Sequence, residues 1–195
     1  MIKKLELSYP AKPYVVTQKF GIKNSAYEQF GFSRHNGEDF RVDADGIVVA
    51  MCRGVVIRTG DNPTGAGKYV EYRTLEPVEA EGSTGHVAFT AMHGERILVK
   101  PGDSTWAGTP LMVADNTGFS TGPHTHISAY FVDPTTGFKI ENGNKETNHC
   151  FDFSKYYNGF YADDVFGWNA KLAQIGAKLG AIATAVAKLF IKKGV

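Results

Sequence analysis

Turn-forming residues recur along this chain at intervals of roughly eight to twelve residues, a spacing that leaves room for strands and little room for helices. Between the Gly, Pro, Asn and Asp clusters lie short β-branched and aromatic runs: YVVTQKF, GIVVAMC, GVVIRTG, KYVEYR, HVAFTAM, RILVK, PLMVA and HISAYFV. Such residues suit the pleated, half-buried surface of a sheet. The body is therefore expected to be mainly β, an antiparallel sheet built from hairpins. A chain of 195 residues can form one domain of this kind with its own core and still carry an appendage.

Only one segment has a helical period. Leu172, Ile175, Leu179, Ile182, Val186 and Leu189 recur at alternating steps of three and four, which predicts an amphipathic helix from about Trp168 to Lys192. The stretch FDFSKYYNGFYADDVFG ahead of it is aromatic and rich in turns, and is expected to pack back on the body. The division expected from these patterns is a β domain over residues 1–160 and a basic amphipathic helix over 161–195.

Charge follows the same division. The net charge is +1, yet Gly167 to Val195 holds five Lys and no acid; removing these from the 21 basic residues leaves 16 against 20 acidic ones, a net of −4 for the rest. No broad basic field covers the body, so nucleic acid is not an expected partner. The helix would either pack on protein and self-associate, aided by the close approach that Gly176 and Gly180 permit, or lie on an anionic membrane or wall polymer. The opening MIKKLELSYPAKPY has no apolar run before Glu6, Ser8 and Pro10, so no signal peptide is expected, and no stretch of ~18 apolar residues predicts a membrane span. Cys52 and Cys150 are too few for a disulfide framework and are expected to be separate thiols.

Two short stretches carry candidate chemistry. In STGPHTHISAY, His124 and His126 stand at i and i+2, and on a strand they share one face about 7 Å apart while Thr125 points away. An isolated pair of this kind is equally well two surface histidines. In SRHNGEDFRV, Asn36-Gly37 predicts a turn that can fold His35 beside Asp39; the plain alternative is an ordinary Asn-Gly hairpin with polar flanks. Taken together, His, Asp and His supply three N/O donors, which suits a catalytic zinc site that keeps a fourth position open. Glu38 alternates away from Asp39 on a strand and is expected to be solvated.

Residues 99 to 130, VKPGDSTWAGTPLMVADNTGFSTGPHTHISAY, resemble the signature of the M23 (lysostaphin/LytM-type) zinc metallopeptidases. In that family a V-x-x-G-D-x-x-x-A-G hairpin precedes N-T-G-x-S-T-G-P-H-x-H, and HNGED matches its HxGxD. VVTQKFG resembles the strand and FG turn ahead of that motif, so the resemblance covers about residues 10 to 135. It implies an antiparallel M23/LytM-like catalytic domain, with His35, Asp39 and His126 as zinc ligands and His124 as a catalytic histidine. The family's further catalytic histidine lies in a YxHL-like strand. FTAMHGE, with His93, is the matching stretch, although Ala91 and Gly94 replace the usual Tyr and Leu and His86 lies seven residues upstream as a competitor. Thr125 replaces the usual Leu within HxH and is expected to affect packing only.

The function the resemblance implies is a zinc metalloendopeptidase that cuts peptide cross-links of bacterial peptidoglycan at the cell wall, and the expected lack of a signal peptide together with a basic helix suggests a phage-type endolysin, a virion-associated lysin or a bacteriocin-like toxin. From a different class, an M23-like module could bind wall or form part of a virion without catalysis. Degenerate members lose metal ligands, whereas His35, Asp39, His124 and His126 are all present here.

Overall fold

The computed structural model describes residues 2–42 and 46–161, so the helix expected over about Trp168 to Lys192 lies outside the described residues. The strands are β1 (Lys3–Lys4), β2 (Leu7–Tyr9), β3 (Val16–Gln18), β4 (Glu38–Arg41), β5 (Ile47–Val49), β6 (Gly54–Asn62), β7 (Gly67–Thr74), β8 (Val78–Ala80), β9 (Ser83–Ile97), β10 (Ser104–Thr105), β11 (Pro110–Ala114), β12 (His124–Val132) and β13 (Tyr157–Tyr161). The main sheet runs β10-β6-β7-β9-β12-β4-β3, and every neighbouring pair along that path is antiparallel. β11 pairs with β9 and β5, β8 joins β9 to β1, and β13 lies parallel to β2 in a separate two-stranded sheet. Among the described residues, no helix is long and apolar enough to cross a membrane.

β12 sits between β9 and β4, and its period-two alternation sorts the molecule into two faces. Thr125, Ile127, Ala129 and Phe131 point one way, and the last three join Phe40, Val70, Tyr72, Val87, Phe89 and Ala91 in the main core. Leu5, Leu7, Leu111 and, from the segment past residue 150, Phe151 and Phe153 complete that core. As far as Tyr157 the aromatic stretch thus packs back on the body, as its composition suggests. Each large apolar side chain buried here contributes about 1.5–3 kcal/mol relative to exposure, which makes this face the principal source of stability. His124, His126, Ser128 and Tyr130 face the other way.

Three features depart from the pattern read in the sequence. HVAFTAM and the start of RILVK are not two strands but one, because β9 runs on through His93, Gly94 and Glu95 and absorbs the extra residue as a bulge at Met92 and His93. Residues Ser25–Phe30 form a 3-10 helix, opened by the Asn24 side chain accepting from Ala26 N–H at 3.0 Å and closed by Gly31 at φ 84°. Glu38 does alternate away from Asp39 but is not solvated. It is buried on the core face, where burial and the charge of Asp152 push its carboxyl up to about 7. Cys52 and Cys150 are separate free thiols.

Candidate metal centre

Asp39 pairs directly with His126 across β4 and β12, which sets both side chains on one face. His35 enters from the segment before β4. Its backbone is pinned to residues 21 and 22, with His35 N–H donating to the Ile22 carbonyl at 2.8 Å and Gly21 N–H donating to the His35 carbonyl at 2.9 Å. The result is a compact triangle: His35 Nε2 to Asp39 Oδ1 3.0 Å, His35 Nε2 to His126 Nδ1 3.0 Å, and His126 Nδ1 to Asp39 Oδ1 2.9 Å.

Gly37 makes that triangle possible. A Cβ at this position would lie 2.1 Å from the Ile127 carbonyl oxygen and 2.7 Å from His126 Nε2, so the imidazole occupies the space where a side chain would otherwise stand. The turn reading of Asn36-Gly37 located the right glycine for a different reason, since its φ is not in the left-handed region.

Proton accounting shows what the triangle can hold. His35 Nδ1 lies 2.9 Å from the Lys19 carbonyl, which can only accept, so in the neutral ring Nδ1 carries the proton and Nε2 is bare. Asp39 Oδ1 is also acceptor-only once ionised. Burial by itself would raise the Asp39 pKa, but the His126 and His35 imidazoles beside it outweigh that and hold the carboxyl well below the usual carboxylate range. Burial pushes His126 down, toward the neutral imidazole, and its Nε2 is buried without a hydrogen-bond partner. Lone pairs thus converge with at most one proton to share, an arrangement that a cation at the centre relieves. The separations approach the edge of about 3.3 Å expected for a tetrahedron of about 2.0–2.1 Å zinc bonds. His35, Asp39 and His126 therefore fit a zinc ion by chemistry and by size.

Two further imidazoles stand beside the triangle. His124, at the start of β12, sends Nδ1–H to the Gly122 carbonyl at 2.8 Å, and its Nε2 lies 3.8 Å from Asp39 Oδ1. His93 follows Ala91, a core residue, and strict alternation would send it into the core as well. Instead, Met92 and His93 stand opposite the single residue Tyr69, and His93 takes a left-handed φ of 68°. The bulge turns its ring to the metal face, 4.7 Å from the His124 ring centre and 6.4 Å from that of His126. His93 Nδ1 lies 2.8 Å from the Thr117 carbonyl, so this nitrogen too carries the proton and Nε2 is bare. Burial, reinforced by the nearby His126, lowers the His93 pKa to about 4. His86 pairs with Val132 farther along β9, its Nδ1 taken up by Arg73 and Thr74, and does not reach the cluster.

Sequence reasoning passed over Tyr27. Its ring stacks on His35 at 5.6 Å and 19°, its hydroxyl accepts the Gln18 amide, and burial with the charge of Asp39 raises its pKa. A phenol that already accepts from Gln18 keeps its own proton free to donate. The Asn24…Gly31 bracket was the local signal for the 3-10 helix that carries it. Phe32, Phe30 and Phe119 continue the row of rings, with Phe30 meeting Phe119 edge-on at 5.2 Å and both partly exposed at the rim.

The model of peptidase family M23 matches residues 33–137. An uncharacterised metalloprotease of Haemophilus influenzae is 34% identical over 112 residues, covering 52% of this chain and 20% of that protein. The peptidoglycan DD-endopeptidase ShyA of Vibrio cholerae is 36% identical over 92 residues, covering 47% of this chain and 19% of that one. The chain thus spans about a fifth of the length of these relatives. Among solved structures, a zinc-containing peptidase from Vibrio cholerae superposes with a TM-score of 0.53 at 27% identity, over 65% of this chain and 37% of its own. The catalytic domain of a mutant of the prophage-encoded M23 protein EnpA from Enterococcus faecalis shares the fold, with a TM-score of 0.51 at 22% identity over 68% and 92%.

Proposed function

The chain belongs to peptidase family M23, and from that premise we propose that it is a zinc metalloendopeptidase acting on the peptide cross-links of bacterial peptidoglycan. His35 Nε2, Asp39 Oδ1 and His126 Nδ1 are the ligands. Zinc bound there would polarise the scissile carbonyl and supply a water of lowered pKa. The remaining chemistry falls to this chain's own side chains. His124 and His93 each keep a proton on Nδ1 through a backbone carbonyl and present a bare Nε2. Either can take the proton of the attacking water and return it to the leaving amine. Tyr27 O–H is a further donor for the developing oxyanion. Glu38, buried on the opposite face, takes no part.

The observation that carries this reading is the convergence of three lone pairs beside two imidazoles whose protons are parked on the far side. The wall substrate rests on the similarity to ShyA, a peptidoglycan DD-endopeptidase. The division read in the sequence adds a basic segment over 161–195, and a catalytic unit with such an appendage suits a phage-type lysin held near an anionic wall or membrane. A zymogram on purified peptidoglycan tests the reading. Clearing is expected with zinc, and none after chelation or in His126→Ala. A zinc-loaded protein that releases nothing from any wall chemotype would leave the non-catalytic wall-binding module as the answer.

A further inference from the structure

Two separate stretches of chain meet behind His93, and neither of them contributes a ligand. The β6–β7 turn places the Ala66 carbonyl 2.9 Å from His93 N–H, while the loop after β11 places Asp115 N–H 3.2 Å from the His93 carbonyl and the Thr117 carbonyl 2.8 Å from Nδ1. The Thr117 hydroxyl stitches the stretches together, accepting from Lys68 N–H at 3.0 Å and donating to the Gly94 carbonyl at 2.7 Å. Gly67 and Gly118 then interlock backbone to backbone. A Cβ on Gly118 would lie 2.2 Å from Gly67 N, and one on Gly67 would lie 2.3 Å from Thr117 Oγ1, and both glycines hold left-handed φ. Phe119 N–H closes the contact on the Gly65 carbonyl at 2.7 Å.

We propose that Thr117, locked in place by the Gly67–Gly118 contact with the β6–β7 turn, is a positioning residue for His93. Its carbonyl holds the proton on Nδ1, and its hydroxyl fixes where that carbonyl stands. Two features separate this from general loop packing. His93 is a non-glycine residue in left-handed conformation, a backbone state that its surroundings must impose. The bulge turns its ring toward the metal face, where strand alternation alone would bury it, and the Thr117 carbonyl is the hydrogen-bond partner that holds the ring there.

The inference rests on the reading of His93 as a proton-handling residue, so the test combines a readout of the ring with one of turnover. Nitrogen chemical shifts of the histidine rings in the zinc-loaded full chain report the tautomer directly. The wild type is expected to hold His93 as the Nδ1–H form. Gly118→Ala, which forces the two loops apart, is expected to mix the tautomers and lower kcat by about tenfold to a hundredfold with KM and zinc content unchanged. Thr117→Val, close to the native volume but without the hydroxyl, is expected to act the same way more mildly, and Thr117→Ser to restore wild-type behaviour. If Gly118→Ala does not fold, the Val and Ser pair decides the matter. An Nε2–H tautomer in the wild type would overturn the proposal, as would a Thr117→Val protein with the native tautomer and native kcat. Should no wall substrate be cleaved at all, the proposed function fails while the ring shifts still decide whether Thr117 sets the tautomer.

Discussion

At the residue scale, Gly37 has the least room to change. A methyl there must displace either the Ile127 carbonyl or the His126 ring, and the ring is the softer of the two. Gly37→Ala is therefore expected to weaken zinc binding by about tenfold to a hundredfold, the cost usual for disturbing the support of a ligand, measured by competition with a chromogenic chelator. The two histidines of HxH separate by role in the same assay. His126→Ala should lose both zinc and activity, whereas His124→Ala should keep most of the zinc and lose activity by about 10²–10⁴. Glu38 titrates away from this chemistry. Its folded pKa of about 7 stands above the reference value of 4.5, so the folded protein binds the extra proton between those values. Its contribution to stability is complete at low pH and is lost as pH rises through about 7. Glu38→Gln removes that dependence. In denaturant titrations it should gain on the wild type by up to about 3 kcal/mol between pH 4.5 and 7 and keep the gain above.

At the scale of elements, the bulge in β9 decides whether the site is complete. It depends on one residue holding φ 68°, a conformation that Asn tolerates and a β-branched side chain resists. His93→Asn should keep a denaturation midpoint near the wild type, whereas His93→Val should be less stable than His93→Asn by about 1–2 kcal/mol, both without activity. Equal midpoints would show that the backbone does not constrain the position. The same element marks where the sequence stops being legible. Alternation in HTHISAYFV puts His124 and His126 on one face and Ile127, Ala129 and Phe131 on the other, since period two is a local property of the chain. Alternation in HVAFTAMHGE sends His93 the wrong way, because a bulge depends on partners 24 residues downstream and across the β6–β7 turn. Glu38 was misread for a related reason. Its face follows from the strand, while what covers that face, Tyr157 and Asp152 among others, comes from the far end of the described chain. Tyr27 was passed over because a 3-10 helix of six residues is too short for a periodic signal, which leaves only its Asn24 and Gly31 caps to mark it.

At the scale of the molecule, the three donors come from two neighbouring strands and a loop, and only the folded chain brings them together. The unfolded chain has no comparable site, so zinc affinity adds to folding free energy by linkage. With free zinc about a thousandfold above the dissociation constant the gain is about 4 kcal/mol, and for a body of this size each kcal/mol moves the midpoint by about 2–4 °C. Chelation should accordingly lower Tm by on the order of 10 °C, and restored zinc should recover it. His124→Ala, which keeps the triangle, should retain the zinc-dependent shift, and His126→Ala should show none. The comparison separates the metal's effect on the fold from its effect on catalysis, because both variants are expected to be inactive. A zinc-dependent Tm in His126→Ala equal to that of the wild type would place the ion elsewhere in the molecule and take the proposed ligand set with it.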